Sequence, residues 1–234
     1  MNEHTHHCFL ASGLTLGILI IPLTASALTL GQIDDFQDGT SQNWGNGSGP
    51  VTNIASGGPA GAGDRYIQAT SLGGSGAQSR MVILNSSQWL GDYVGGGITA
   101  IAMDLNNFSS QPLSMRLAFF VNTSSGYAST TPFSLAANSG WEHALFSLNP
   151  ADFTAIGSPG DFNTLLSNFN GQLRILSSTS PSFRGDSIAA TLGVDNVQAI
   201  PEPGTFVMVG AGILALFGLR QQQRSEKRVI NQSR

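Results

Sequence analysis

Ser114-Met115-Arg116-Leu117-Ala118-Phe119-Phe120-Val121 sets the period on which the chain is built. Met115, Leu117, Phe119 and Val121 recur at every second position, and Arg116 falls between them. A strand turns successive side chains to opposite faces, so this spacing describes a strand with one buried face. Upstream, Ile98–Leu105 places Ile101, Met103 and Leu105 on one face in the same manner. Tyr66–Thr70, Arg80–Leu84, Trp141–Leu148, Leu173–Leu176 and Gly193–Ile200 extend the set. Stretches rich in Gly, Asn, Ser and Pro separate them, Asn106–Pro112 and Asn122–Thr131 among them. Short strands punctuated by turn-forming residues predict an all-β chain folded as an antiparallel β-sandwich.

One stretch follows the helical period instead. Phe162, Leu165, Leu166 and Phe169 fall at i, i+3, i+4 and i+7 within Asp161–Asn170. Asp161 is placed to cap it, with Pro159-Gly160 before and Asn170-Gly171 after, so one short helix is expected against the sandwich. The glycine runs Gly57–Gly63 and Gly73–Gly76 read as turns or mobile loops, and neither has the spacing of a phosphate-binding loop.

The ends of the 234-residue chain have a different character. Phe9–Leu23 is mostly apolar and leads to Ala25-Ser26-Ala27, which predicts an export signal over 1–27 cut before Leu28. Its leading residues include histidines but neither Lys nor Arg, so an uncleaved anchor is the alternative. The only cysteine, Cys8, precedes most of the apolar run, so the body has neither a disulfide nor a thiolate. Residues 28–200 form the expected domain, long enough for a core of its own. It holds 11 acidic and 5 basic residues, a formal charge of −6, and lacks the positive footprint of a nucleic-acid reader.

Past the body, Pro201-Glu202-Pro203-Gly204 leads into the uncharged stretch Thr205–Leu219, then a tail with Arg220, Arg224, Lys227, Arg228 and Arg234. Hydropathy predicts a short C-terminal transmembrane helix over 205–219 with the basic tail at the cytoplasmic boundary. The two prolines keep the approach extended, and Glu202 supplies one charged feature to read. Ile200-Pro201-Glu202-Pro203, apolar stretch and basic tail together resemble the PEP-CTERM sorting signal of Gram-negative bacteria. The resemblance covers about 35 residues, 201–234 being its sorting segment. It implies recognition by a membrane-embedded exosortase, removal of the tail, and delivery to the cell surface or extracellular matrix.

Ile33-Asp34-Asp35-Phe36 near the start and Gly193-Val194-Asp195-Asn196-Val197-Gln198-Ala199-Ile200 near the end read as first and last strands that pair. Together they resemble bacterial extracellular jelly-roll domains, including carbohydrate-binding modules. Such jelly rolls carry a structural calcium near the paired ends. Calcium takes carboxylate and carbonyl oxygens, and the resemblance implies Asp34, Asp35, Asp38 and Asp195 as ligands, Asp35 and Asp195 foremost. Asp38-Gly39 also reads as a simple turn.

A glycan site joins aromatic area to orienting polar groups. Trp44, among Asn and Gly, and Trp89 and Tyr93, in a loop beside Asp92, are the candidates, with Tyr127 and Trp141 behind them. Trp141 opens a strand and reads as core. His143, Asp152 and Asp161 are the only groups to weigh for hydrolysis. The last two stand nine residues apart across a loop, which fixes no carboxylate distance. Asn46, Asn85, Asn107 and Asn122 head Asn-x-Ser/Thr triplets, compatible with surface glycosylation. The leading expectation is a non-catalytic surface or matrix protein making adhesive or polysaccharide contacts. The alternatives are a calcium-dependent carbohydrate-binding module and, behind it, an extracellular glycan hydrolase.

Overall fold

A computed structural model describes residues 28–45, 50–76, 78–122 and 124–202. Twelve strands run in order as β1 (Ile33–Asp34), β2 (Val51–Ile54), β3 (Tyr66–Leu72), β4 (Val82–Asn85), β5 (Ile98–Asn107), β6 (Leu113–Asn122), β7 (Ser125–Ser129), β8 (Phe133–Leu135), β9 (Trp141–Ser147), β10 (Phe153–Ile156), β11 (Gln172–Ser177) and β12 (Ala189–Pro201). Sheet I has the order β2-β3-β12-β5-β9 with β1 added beside β12; sheet II has the order β10-β7-β6-β11-β4 with β8 added beside β6. Every pairing is antiparallel. The chain passes repeatedly between the sheets, as a jelly-roll sandwich requires.

Period-two alternation puts the core where the sequence expects it. Ile101, Met103 and Leu105 of β5 meet Met115, Leu117 and Phe119 of β6, all fully buried, with Leu173 and Ile175 of β11 beside them. Val121 breaks the expected row and is 38% exposed. The β6–β7 register shifts between Phe120 and Asn122, and that irregularity turns the strand end out of the core.

The first and last strands meet, Ile33 opposite Gln198 and Asp34 opposite Val197. Within β12, Asp195 lies opposite Asp104 and Gln198 opposite Ala102, so two residues stand where β5 has one. Asn196 makes this bulge in the left-handed region, at φ 49°, which Asn tolerates better than most residues. The extra residue resets parity, so Leu192, Val194, Val197 and Ala199 all point inward. The Asp-Asn-Val motif is thus the sequence form of a bulge.

Two expectations are corrected. Asn122–Thr131, read as a separator, contains β7, every residue of which is buried. Ser, Gly and Ala give little hydrophobic signal, yet Gly126 fits a place where a Cβ would lie 2.4 Å from the Phe119 carbonyl oxygen. The expected C-terminal transmembrane helix is corrected as part of the fold. Among the described residues no helix is long and apolar enough to cross a membrane, and the α-helix, α1, spans only Phe162–Leu166. The stretch 205–219 and the signal at 1–27 lie outside the described residues. Asp161 caps α1 as expected, accepting from the Thr164 amide at 2.8 Å. Phe162 and Leu166 close one end of the core.

Candidate functional site

Asp34, nominated for a calcium site, instead joins Trp44 and Trp89, nominated for a glycan platform. Asp34 leaves β1 into the interior, where its Oδ2 accepts from Trp89 Nε1 at 2.6 Å, Trp44 Nε1 at 2.7 Å and Gln88 Nε2 at 3.0 Å. Burial raises its pKa above the ordinary value, against the pull of the two indoles and the amide. Trp44, Trp89 and Tyr93 are 1%, 0% and 1% exposed, so none offers a ring face to a sugar. Trp44 was expected at the surface from its Asn and Gly neighbours; its partners lie 10 and 45 residues away. Tyr93 donates to the Trp89 carbonyl at 2.7 Å and packs edge-on to Phe119 and Phe169. Tyr127 is buried too, its hydroxyl donating to the Gly160 carbonyl at 2.6 Å. Asp38 holds its own turn, accepting from the Thr40 amide and hydroxyl, which together lower its pKa. Asp35 accepts from the Gln37 amide at 3.2 Å.

Asp195 differs from the other three. It sits on the outer side of sheet I, yet the loop from Gly57 to Asp64 covers it completely. Its Oδ1 accepts from the Asn196 amide at 2.8 Å, while its Oδ2 is buried without a hydrogen-bond partner. The loop is tied by Gly57 N–H to Gly61 O at 3.0 Å, Gly58 N–H to Asp64 O at 3.0 Å, and Ala60 N–H to Asp64 Oδ2 at 2.7 Å. A Cβ on Gly58 would lie 2.5 Å from Asp64 Oδ2 and 3.1 Å from Asp195 Oδ2, so both carboxylates crowd one glycine. Burial pushes the Asp195 carboxyl up to about 7, and the negative charges of Asp64, Asp104 and Asp35 add to it against the Asn196 bond. An orphaned carboxylate oxygen near a second carboxylate is chemistry that a hard cation satisfies. Among the described residues no three His, Cys, Asp or Glu side chains converge as metal ligands. Of the four expected ligands only Asp195 has a buried oxygen without a partner, and beside it lies Asp64, a residue that the sequence reading missed. Nothing in the glycine-rich sequence signals that this loop folds back.

Beside that loop lies an aromatic group. Trp141 of β9, Tyr66 of β3 and Phe108 after β5 pack with centroid separations of 5.1, 6.0 and 6.4 Å. Gly193 makes room for them, since a Cβ there would lie 2.9 Å from both Phe108 and Trp141. Phe108 is 40% exposed, Trp141 half-buried and Tyr66 buried. Trp141 was read as core, yet it projects from the outer face and donates from Nε1 to the Gly57 carbonyl at 2.8 Å. The covering loop thus touches the indole at one end and the carboxylate pair at the other. Gln68 and Asn106 flank Gly193 on the same face, on the paired strands β3 and β5. His143 Nδ1 is 2.8 Å from Asp104 Oδ1, and Asn196 Nδ2 donates to Asp104 Oδ2 at 2.8 Å. Asp152 belongs to the turn at Pro150–Asp152 and Asp161 to the α1 cap.

The outer face of sheet II is closed differently. Arg116, alternating out of the core as expected, is buried beneath residues 178–187. Its guanidinium donates to the carbonyls of Ser129, Thr130, Ser178 and Thr179 at 2.6, 2.7, 2.9 and 3.1 Å. Phe183 seats edge-on to Phe120, and the Arg174 guanidinium stacks 3.7 Å above the Phe120 ring.

Residues 199–224 match the PEP-CTERM protein-sorting motif. No curated protein matches the chain in sequence. Among solved structures, an exo-β-agarase is similar at 11% identity and a TM-score of 0.51, over 72% of this chain and 25% of that one. A family 11 carbohydrate-binding module from Clostridium thermocellum, in complex with a β-1,3-1,4-mixed-linked tetrasaccharide, aligns at 16% identity with a TM-score of 0.49, over 74% of this chain and 97% of the module. The agarase likeness establishes the shared sandwich fold. The chain therefore joins a PEP-CTERM motif to an antiparallel jelly-roll sandwich.

Proposed function

We propose that this is an exported, non-catalytic surface protein whose sandwich binds polysaccharide, processed at its C-terminal motif by an exosortase-type enzyme of a Gram-negative bacterium. The observation that carries the binding role is the partly exposed Trp141–Phe108 pair on the outer face of sheet I, next to the half-buried amide of Gln68. Aromatic area gives a sugar ring an apolar surface, and neighbouring amides orient its hydroxyls. This favours a carbohydrate-binding module over a purely structural, adhesive role. Asp195 and Asp64 would hold a calcium ion that neutralises their facing carboxylates and fastens the loop whose Gly57 carbonyl positions the indole. Calcium then supports binding through the loop without touching the glycan.

Affinity electrophoresis of the purified protein through a panel of neutral and acidic polysaccharides, agarose among them, tests this reading. At least one polymer is expected to retard the wild type, with retardation lost in Trp141→Ala and kept in Phe120→Ala on the opposite sheet. Equal retardation of wild type and Trp141→Ala, or none for any polymer, would overturn it. Thermal unfolding with millimolar calcium or a chelator tests the ion. The melting temperature should rise with calcium in the wild type and not in Asp195→Asn, and equal curves in the wild type reject the ion.

A further inference from the structure

The sorting motif does not begin where the sandwich ends. Strand β12 runs to Pro201, which is buried and lies opposite Ile98 of β5. The pairing shifts between Ile200 and Pro201, consistent with a residue that has no N–H to give the ladder. One residue on, the Glu202 amide donates to the Gly97 carbonyl at 2.9 Å. A turn fixes that carbonyl. Gly96 N–H bonds Asp92 O at 3.1 Å, Gly97 N–H bonds Val94 O at 3.0 Å, and Ile98 N–H bonds the carbonyl of fully buried Tyr93 at 2.9 Å. Gly97 itself stands at φ 63°, a conformation that glycine adopts without strain. The Thr99 hydroxyl adds a bond to the Ile200 carbonyl at 3.4 Å. The side chain of Glu202 is exposed at the rim of a cavity of about 430 Å³ that Val94, Ile98, Leu148, Asn149 and Leu166 help to line.

Backbone and side chain of the motif are thus presented differently. An enzyme that reads an extended segment engages its main-chain groups, much as a sheet edge takes up an added strand. Here the Glu202 amide is committed to Gly97, and Pro201 is buried opposite Ile98 of β5.

We propose that the folded sandwich masks the first half of its own sorting motif, so that processing requires the last rung of β12, Pro201 and Glu202, to peel from Gly97 and Ile98. This rests on the processing reading above. The step is conformational, with no covalent bond made or broken in it. Strand ends open locally at far smaller cost than the whole domain. The body therefore sets how often the motif is available without having to unfold. The carboxylate of Glu202, already exposed, can be met by the enzyme before its backbone is released.

Two measurements on the full chain test this. With the protein labelled by 15N-glutamate, the Glu202 amide should exchange at least about fivefold slower than in an unstructured chain. Exchange at the unstructured rate overturns the proposal. In cells that carry the processing enzyme, a four-residue Gly-Ser spacer between Ile200 and Pro201 moves the motif off the sheet. The processed mass should then accumulate about fivefold faster in a pulse-chase, the factor that the loss of one net hydrogen bond gives. The same spacer placed in the Gly73–Gly76 turn should leave the rate unchanged. Equal rates for wild type and the Ile200 spacer also overturn the masking. If no form is processed, the processing reading fails, and amide exchange alone decides whether the motif is held.

Discussion

Asp34 shows how a single side chain can serve the core while resembling a ligand. Two indole N–H groups and one amide converge on a single oxygen in a largely buried site. Removing that oxygen leaves buried donors without partners, at a cost well above that of an exposed hydrogen bond. Asp34→Ala should therefore lose about 3–5 kcal/mol in urea unfolding, comparable to breaking a buried ionic contact, with Asp34→Asn losing less because it keeps one acceptor. A loss under about 1 kcal/mol for Asp34→Ala, the range of exposed pairs, would mean that the clamp is not formed. Only half of this was legible. The pairing of the first and last strands follows from their motifs, and the alternation of β5 and β6 fixes the core. That Asp34 points inward to Trp89, 55 residues away, follows from no local pattern. A carboxylate near tryptophans reads alike whether it holds them in a core or stands beside them on a surface. Burial, which tells the two apart, is a property of the closed sandwich.

At the scale of elements, the segment over sheet II is fastened by polar bonds as much as by Phe183. The Asp186 carboxylate accepts from the Thr179 amide at 2.7 Å, the Thr179 hydroxyl at 2.8 Å and the Ser178 hydroxyl at 3.1 Å. Burial pushes its pKa up, but these bonds together outweigh burial and leave it below the ordinary 3.8. A carboxyl lowered on folding stabilises the fold above its unfolded pKa, and that support is lost as pH falls through the folded value. The stability gap between wild type and Asp186→Asn should thus be constant from about pH 8 to 5 and close below about pH 4. Thermal unfolding of both proteins across that range checks it, and a gap that widens in acid contradicts the assignment. Strand β7, beneath the same segment, was read as a separator because Ser125-Gly126-Tyr127-Ala128-Ser129 carries one large apolar residue. It becomes a strand through its neighbours, since β6 and β10 pair with it on either side. Small residues suit a strand whose outer face is closed by another segment, a tertiary fact that composition cannot carry.

Across the whole molecule, β12 joins the parts that matter. It pairs with β1, β3 and β5, carries Asp195 under the Gly57–Asp64 loop and Gly193 under the aromatic group, and ends within the sorting motif. Its inward residues belong to one cluster with those of sheet II, so the two sheets share a core. Most of the pairing is non-local, from β1 with β12 to β3 with β12, and such contacts form and break together. Leu192, fully buried on β12, tests this. Leu192→Ala should cost about 2–5 kcal/mol. Tryptophan fluorescence, which reports the surroundings of Trp44, Trp89 and Trp141, and far-ultraviolet circular dichroism, which reports both sheets, should shift together by the same amount. Coincident curves are required of a single cooperative unit. If fluorescence kept its wild-type midpoint while the dichroism moved, the sheets would unfold separately. A shared core also bears on the sorting motif. The proposed opening of its last rung involves only Pro201 and Glu202, which lie at the strand's end beyond the inward-facing Ala199.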